Sequence, residues 1–190
     1  MTFHFLALAV LTTTLIGCQS PKPLPTAGHV DLSRYSGKWY EVARIKNRFQ
    51  HHDESAIAEY TQTSPTTIEV RNTATSRAGK TRSIVGVGEV VPDSDGDRLR
   101  VKFGGFAALA RVPREGNYWI IALNPQYRSA LVGTPDRKYL WILARNPLPD
   151  AGTLNSYMVK ADRLGFPMDK MIWDQDLGTN TKPTPTRNSR

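Results

Sequence analysis

The chain has 190 residues and a single cysteine, enough for one ordinary domain and too few thiols for an intrachain disulfide or a cysteine-based zinc site. Lys and Arg number 25 against 17 Asp and Glu, a net charge of +8, with 22% charged and 39% hydrophobic residues. That balance reads as globular rather than disordered, and the one long apolar run, at the N-terminus, excludes a polytopic membrane protein.

Residues 1–17 contain no Asp, Glu, Lys or Arg. The apolar and hydroxylic stretch from Phe5 to Gly17 is too short to span a bilayer and suits a secretory signal peptide over 1–17, although the start lacks the usual Lys or Arg. Leu15-Ile16-Gly17-Cys18 resembles the bacterial lipobox, which implies that Cys18 carries lipid through a thioether. Residues 18–29, with Pro21, Pro23 and Pro25, read as a lipidated tether of mixed stiffness. Several acyl chains on one terminus suffice for stable anchoring. By the same resemblance, Gln19 in place of aspartate implies sorting to the outer membrane.

Residues 30–178 are expected to form the domain proper. Eight β-type runs follow one another: 38–45, 55–61, 67–72, 82–91, 98–103, 117–123, 129–133 and 139–145. Turn residues such as Ser64-Pro65, Ala78-Gly79, Asn124-Pro125 and Thr134-Pro135-Asp136 separate them. No helix-period segment interrupts the strands, so the pairing is expected to be antiparallel. In 98–103, Arg98, Arg100 and Lys102 alternate with Leu99, Val101 and Phe103; the cations need water, so the apolar three face inward. Residues 104–113 carry no assignable pattern.

Both faces of 139–145 are apolar, so something must cover the outer one. Leu154, Tyr157, Met158, Ala161 and Leu164 recur at helical spacing. They predict a packing helix over about 150–164, capped by Asp150 and ended by Gly165. Met171-Ile172-Trp173 is a short β-like piece able to add to an edge. Residues 179–190 are Thr-, Asn- and Pro-rich and are expected to be a disordered tail. The expected fold is all-β: an eight-stranded antiparallel up-and-down barrel with one C-terminal helix packed outside. A sandwich fits the periodicity equally well.

Three motifs decide between these. Gly37-Lys38-Trp39-Tyr40 is similar to the Gly-x-Trp signature of the lipocalins. Leu140-Trp141-Ile142-Leu143-Ala144-Arg145 resembles that family's last-strand motif. Ala122–Val132 resembles the bacterial version of its middle motif, without the common Thr-Asp-Tyr form. With the lipobox, the chain resembles the bacterial outer-membrane lipoprotein subgroup, related to apolipoprotein D. The resemblance implies a barrel, a structural set of Gly37, Trp39 and Arg145 at its closed end, and binding of small hydrophobic molecules. For the subgroup these are fatty acids or lysophospholipids.

Parity and the family pattern nominate Ala56, Ala58, Tyr60, Ile68, Val70, Val101, Phe103, Tyr118, Ile120, Tyr139 and Trp141 as the ligand wall. Trp119 and Ile121 compete with Tyr118 and Ile120 for the inward positions. Arg44, Lys46, Arg48 and Arg77 are candidates for meeting a charged head group near the mouth. The sequence holds no Gly-x-Ser-x-Gly elbow, no His-Glu-x-x-His and no phosphate-cradling glycine loop, so neither an enzyme nor a metal or cofactor is expected. His51-His52 is a poor metal pair, because neighbours in extended chain point apart. Nucleic acid is not an expected partner of an exported protein. The membrane is one, through the lipid anchor, and a homodimer is left open. The alternative function is a structural lipoprotein with a filled barrel that binds a protein partner by its outer surface.

Overall fold

The computed structural model describes residues 23–105 and 111–174. The expected signal peptide, Cys18 and the tail over 179–190 lie outside the described residues, as does 106–110. A single helical turn, α1 (Leu32–Tyr35), precedes strands β1 (Gly37–Ile45), β2 (Glu54–Ser64), β3 (Thr67–Ser76), β4 (Thr81–Val90) and β5 (Arg98–Phe103). Then come β6 (Tyr118–Leu123), β7 (Ser129–Gly133), β8 (Leu140–Ala144), helix α2 (Ala151–Arg163), a 3-10 turn at Met168–Lys170 and β9 (Met171–Trp173).

Each strand from β1 to β8 pairs antiparallel with the next, and β1 pairs with β8. The sheet is therefore closed, which removes the edges a sandwich would expose. β2 and β3 run further toward the open end than the apolar pattern indicates, with Glu54 opposite Ser76. The ladder continues there while both faces turn polar, so the alternation fades before the hydrogen bonds do.

Two bulges break the simple parity. In β1 the register shifts between Glu41 and Ala43, so Val42 and Ala43 both face out while Glu41 and Arg44 stand beside the inward Leu143 and Trp141. In β6 the shift between Ile120 and Ala122 turns Ile121 and Ala122 outward together and leaves Tyr118, Ile120 and Leu123 inside. Past its bulge β1 leaves β2. Ala43, Arg44 and Ile45 pair instead with β9, the addition expected of Met171-Ile172-Trp173.

Two apolar clusters result. The inner one fills the lower barrel around Trp39, Leu99 and Ile120. The outer one lies between β1, β6, β7 and β8 and the stripe Leu154, Tyr157 and Ala161 of α2. Fully burying each large aliphatic chain contributes roughly 1.5–3 kcal/mol. Asp150 caps α2 by accepting from the Thr153 N–H at 2.8 Å, and Gly165, at φ +81°, ends it.

The closed end is built on Trp39. Its indole Nε1 donates to the Tyr35 carbonyl at 2.8 Å, and the Arg145 guanidinium lies 3.9 Å from the ring centroid. That guanidinium also donates to the carbonyls of Lys38, Arg34, Tyr35 and Ser36 at 2.8–3.2 Å. Arg145 thus satisfies the loose carbonyls at the end of α1, which would otherwise turn to water. Gly37 is required there: φ is +96°, and a side chain's first carbon would stand 3.2 Å from Arg145 Nη1.

Candidate functional site: the barrel interior and its mouth

The inward side chains form two layers. In the lower layer Tyr60, Ile68, Val70 and Ile120 are almost fully buried with Trp39, Leu99 and Leu143. Glycines on β4 let this layer close. A first side-chain carbon at Gly88 would meet Ile68 at 3.0 Å, and one at Gly86 would meet Phe103 at 2.6 Å. The Ile68 and Phe103 side chains occupy space that larger residues on β4 would have taken. Above the floor, the Tyr118 hydroxyl meets those of Tyr35 at 2.7 Å and Tyr60 at 2.9 Å. Burial raises all three phenols, Tyr60 to about 12, so they stay neutral and act as hydrogen-bonding groups.

The upper layer is more open. Ala56, Phe103, Tyr118, Tyr139 and Trp141 keep partial solvent access, and Ile84, inward by register with Asn72, is 38% exposed. Ala58 and Val101 sit between the layers, at 9% and 7% exposure. The structure thus brings the nominated wall together, and Tyr118 and Ile120 take the inward positions while Trp119 and Ile121 join the outer cluster. Asn72 is an inward residue that sequence reasoning missed. Its Oδ1 is buried with no hydrogen-bond partner among the described residues.

At the mouth, the sequence expectation for Arg44 is corrected. Arg44 is 1% exposed and not available to solvent. It donates to Glu41 Oε1 at 2.8 Å, to the Glu54 carbonyl at 3.3 Å and to the His51 carbonyl. Alternation from Trp39 would have pointed it outward; the bulge turns it in. Gln50 donates to Glu41 at 3.1 Å and to the Glu54 carbonyl at 3.2 Å. Arg82 of β4 grips the Glu54 carboxylate at 2.7 and 3.0 Å and the Phe49 carbonyl at 2.8 Å. These contacts bind the β1–β2 loop, 46–53, across one side of the opening. No sequence signal marks Glu41 or Glu54 as buried.

The two carboxylates behave oppositely. Arg82 holds Glu54 down to about 2, because its charge and hydrogen bonds favour the ionised form. Desolvation pushes Glu41 up to about 6, and the Arg44 charge only partly offsets it. The loop reaches the cup wall through aromatics: Phe49 is 5.3 Å from Tyr139, which is 6.1 Å from Trp141, between ring centroids. Among the described residues no group of His, Cys, Asp and Glu has a metal-binding arrangement.

The sequence profile of the lipocalin-like domain matches residues 30–176. The chain belongs to the lipocalin-like family. As a lipocalin it is 33% identical over 177 residues to the outer membrane lipoprotein Blc of Escherichia coli, covering 91% of this chain and 96% of that protein. It is 35% identical over 152 residues to temperature-induced lipocalin-1 of Arabidopsis thaliana, covering 79% and 81%. In fold it matches insecticyanin from the tobacco hornworm Manduca sexta, with a TM-score of 0.57, 20% identity and coverage of 83% and 85%. This lipocalin is a binding protein and not an enzyme, and membership of the family supports binding of a lipophilic ligand.

Proposed function

We propose that the protein is an outer-membrane-anchored lipocalin that binds and carries or stores fatty acids and lysophospholipids in the upper half of its barrel, in maintenance of the cell envelope. The observation that carries this reading is the contrast within the inward face. Tyr60, Ile68 and Ile120 are sealed below, while Ala56, Phe103, Tyr139 and Trp141 keep solvent access above. An acyl chain entering that upper half leaves water for an apolar wall. At about 0.8 kcal/mol per methylene, a chain of about twelve carbons contributes on the order of 9 kcal/mol before ordering costs, enough for micromolar binding. Anchoring through Cys18, with the domain facing the periplasm, rests on the lipobox resemblance and on the name of the Escherichia coli relative.

A soluble form starting after Cys18 tests the reading. It is expected to bind an environment-sensitive fatty-acid probe and to release it to lysophospholipid. Trp141→Arg should weaken that binding far more than Lys138→Gln, because Trp141 faces the cup and Lys138 faces water. If saturating lysophospholipid leaves probe and thermal midpoint unmoved, the carrier reading fails. The second reading, a scaffold that binds a protein through its outer surface, would then be favoured. Val85 and Val87 of β4, 39% and 47% exposed, are the observation in its support.

A further inference from the structure

We propose that Asn72, inside the barrel, is a binding residue for the hydroxyl of a hydroxylated acyl chain, so that the protein prefers a chain with a hydroxyl near its middle to the plain chain of the same length. This rests on the acyl-binding reading and adds to it the class of chain and the residue that selects it. Asn72 Oδ1 is buried and has no hydrogen-bond partner among the described residues. The amide faces the interior from the middle of β3, although Asn is disfavoured in strands. Ala58 of β2 is directly across from it, and Ala56 and Ala74 form the next inward pair toward the mouth. Three small side chains leave room beside the amide. A buried acceptor left unpaired is costly, and a ligand that pairs it recovers that cost.

The layer below supplies the complementary group. Tyr60 and Val70 are the next inward pair toward the floor. The neutral phenols of Tyr35, Tyr60 and Tyr118 carry three O–H protons and share two hydrogen bonds, both at the Tyr118 oxygen. One proton is therefore left to donate elsewhere. A hydroxyl can donate to the Asn72 oxygen and still accept a proton; a methylene can do neither. A plain chain drawn over this spot shuts the amide away from water without replacing the bond, and a hydroxylated chain replaces it. Sites that hydrogen-bond a ligand hydroxyl reject the analogue lacking it more strongly than an apolar pocket rejects a missing methylene. The depth sets where the hydroxyl must lie. Asn72 is four residues from Ser76 at the open end, about 13 Å along β3. A long chain whose carboxylate stays at the mouth brings its middle carbons there.

The experiment uses the chain after Cys18, which holds every described residue, and measures displacement of an environment-sensitive fatty-acid probe. Three acids compete: stearate, stearate hydroxylated at its twelfth carbon, and stearate hydroxylated beside the carboxylate. All three present the same carboxylate to the exposed Lys46, Arg48 and Arg77, so a difference among them reports on the chain. The mid-chain hydroxy acid is expected to bind at least about tenfold more tightly than stearate, although its chain is the less hydrophobic. The acid hydroxylated beside the carboxylate should gain nothing. In Asn72→Leu the order should reverse, through loss of the mid-chain hydroxy acid's affinity alone; retained stearate binding then shows that the variant is folded. If the mid-chain hydroxy acid binds the unaltered protein no more tightly than stearate, the proposal is overturned and the acyl cup stands, whether or not the variant folds. A preference that survives Asn72→Leu, or that the other hydroxy acid shows equally, has the same consequence. Failure of the probe and all three acids to bind would overturn the cup, and this site with it.

Discussion

Each end of the barrel is tied together by an arginine, half-buried at the closed end and fully buried at the mouth, and the two are satisfied in different ways. At the closed end Arg145 stacks on Trp39 and donates to the backbone carbonyls of Arg34, Ser36 and Lys38, so the charge spreads over neutral acceptors. At the mouth Arg44 is paired with Glu41, a carboxylate that burial itself disfavours, and its Nε has no acceptor among the described residues. The first arrangement suits a permanent plug. The second leaves the β1–β2 loop held by ionic contacts whose strength depends on protonation, at the end where a ligand must enter.

The largest expected effect falls on the closed end. Trp39→Ala removes a fully buried ring and the surface on which Arg145 rests, and should cost about 4 kcal/mol by denaturant midpoint. Ligand affinity of the protein that remains folded should change little. A large affinity loss there would mean that the two ends are not separable.

Next comes Glu41→Leu, at about 3 kcal/mol, because it strands a guanidinium that cannot shed its proton. Arg44→Met should cost less, since Glu41 can take up a proton once its partner is gone. Equal losses would show that Arg44 acts through packing rather than charge.

The pH dependence sharpens the comparison further. Glu41 titrates at about 6 when folded against an ordinary 4.5, so the folded protein holds a proton that the unfolded chain has released. Its contribution is present below pH 4.5 and is lost as pH rises through 6, a change of about 2 kcal/mol. Glu54, held at about 2, works in the other direction: its contribution is present above 4.5 and lost as pH falls through 2. From this pair alone, stability should peak near pH 4.5. Glu41→Gln should erase the decline above the peak and keep the one below. Persistence of the upper decline would show that another group causes it.

The smallest expected effect is that of Gly88→Ala. The added methyl would stand 3.0 Å from Ile68 and 3.5 Å from Val101, in both cases against side-chain atoms that can give. It should lower stability by about 1 kcal/mol and push these side chains into the cup, reducing acyl affinity. Unchanged affinity would place Ile68 and Val101 outside the ligand's path.

Strand order and the outer helix were readable from alternation and helical spacing, whereas closure was readable only from the lipocalin motifs. Arg98, Arg100 and Lys102 could not be buried, Asp150 and Gly165 bracket the helix, and Gly37, Trp39 and Arg145 carry a recognisable pattern. The mouth was not readable. A strict alternation from Trp39 sends Arg44 outward, and only the bulge at Val42-Ala43 brings it in. Gly86 and Gly88 carry no side chain from which a face can be read, yet they decide how far Phe103 and Ile68 reach. The contacts that hold the β1–β2 loop join residues 41, 44, 50, 54 and 82, whose proximity follows from the closed register and from no local spacing.

The most direct test of the cup is photolabelling of the soluble domain with palmitate bearing a diazirine at its terminal carbon, the labelled peptides being mapped by mass spectrometry. The expected labels fall on the inward residues of β2 and β8 that line the upper barrel, Ala56, Ala58 and Trp141, and disappear when excess unlabelled palmitate is added. Labels confined to outward positions, such as Val85 and Val87 or the exposed side of α2, would contradict an acyl chain inside the barrel.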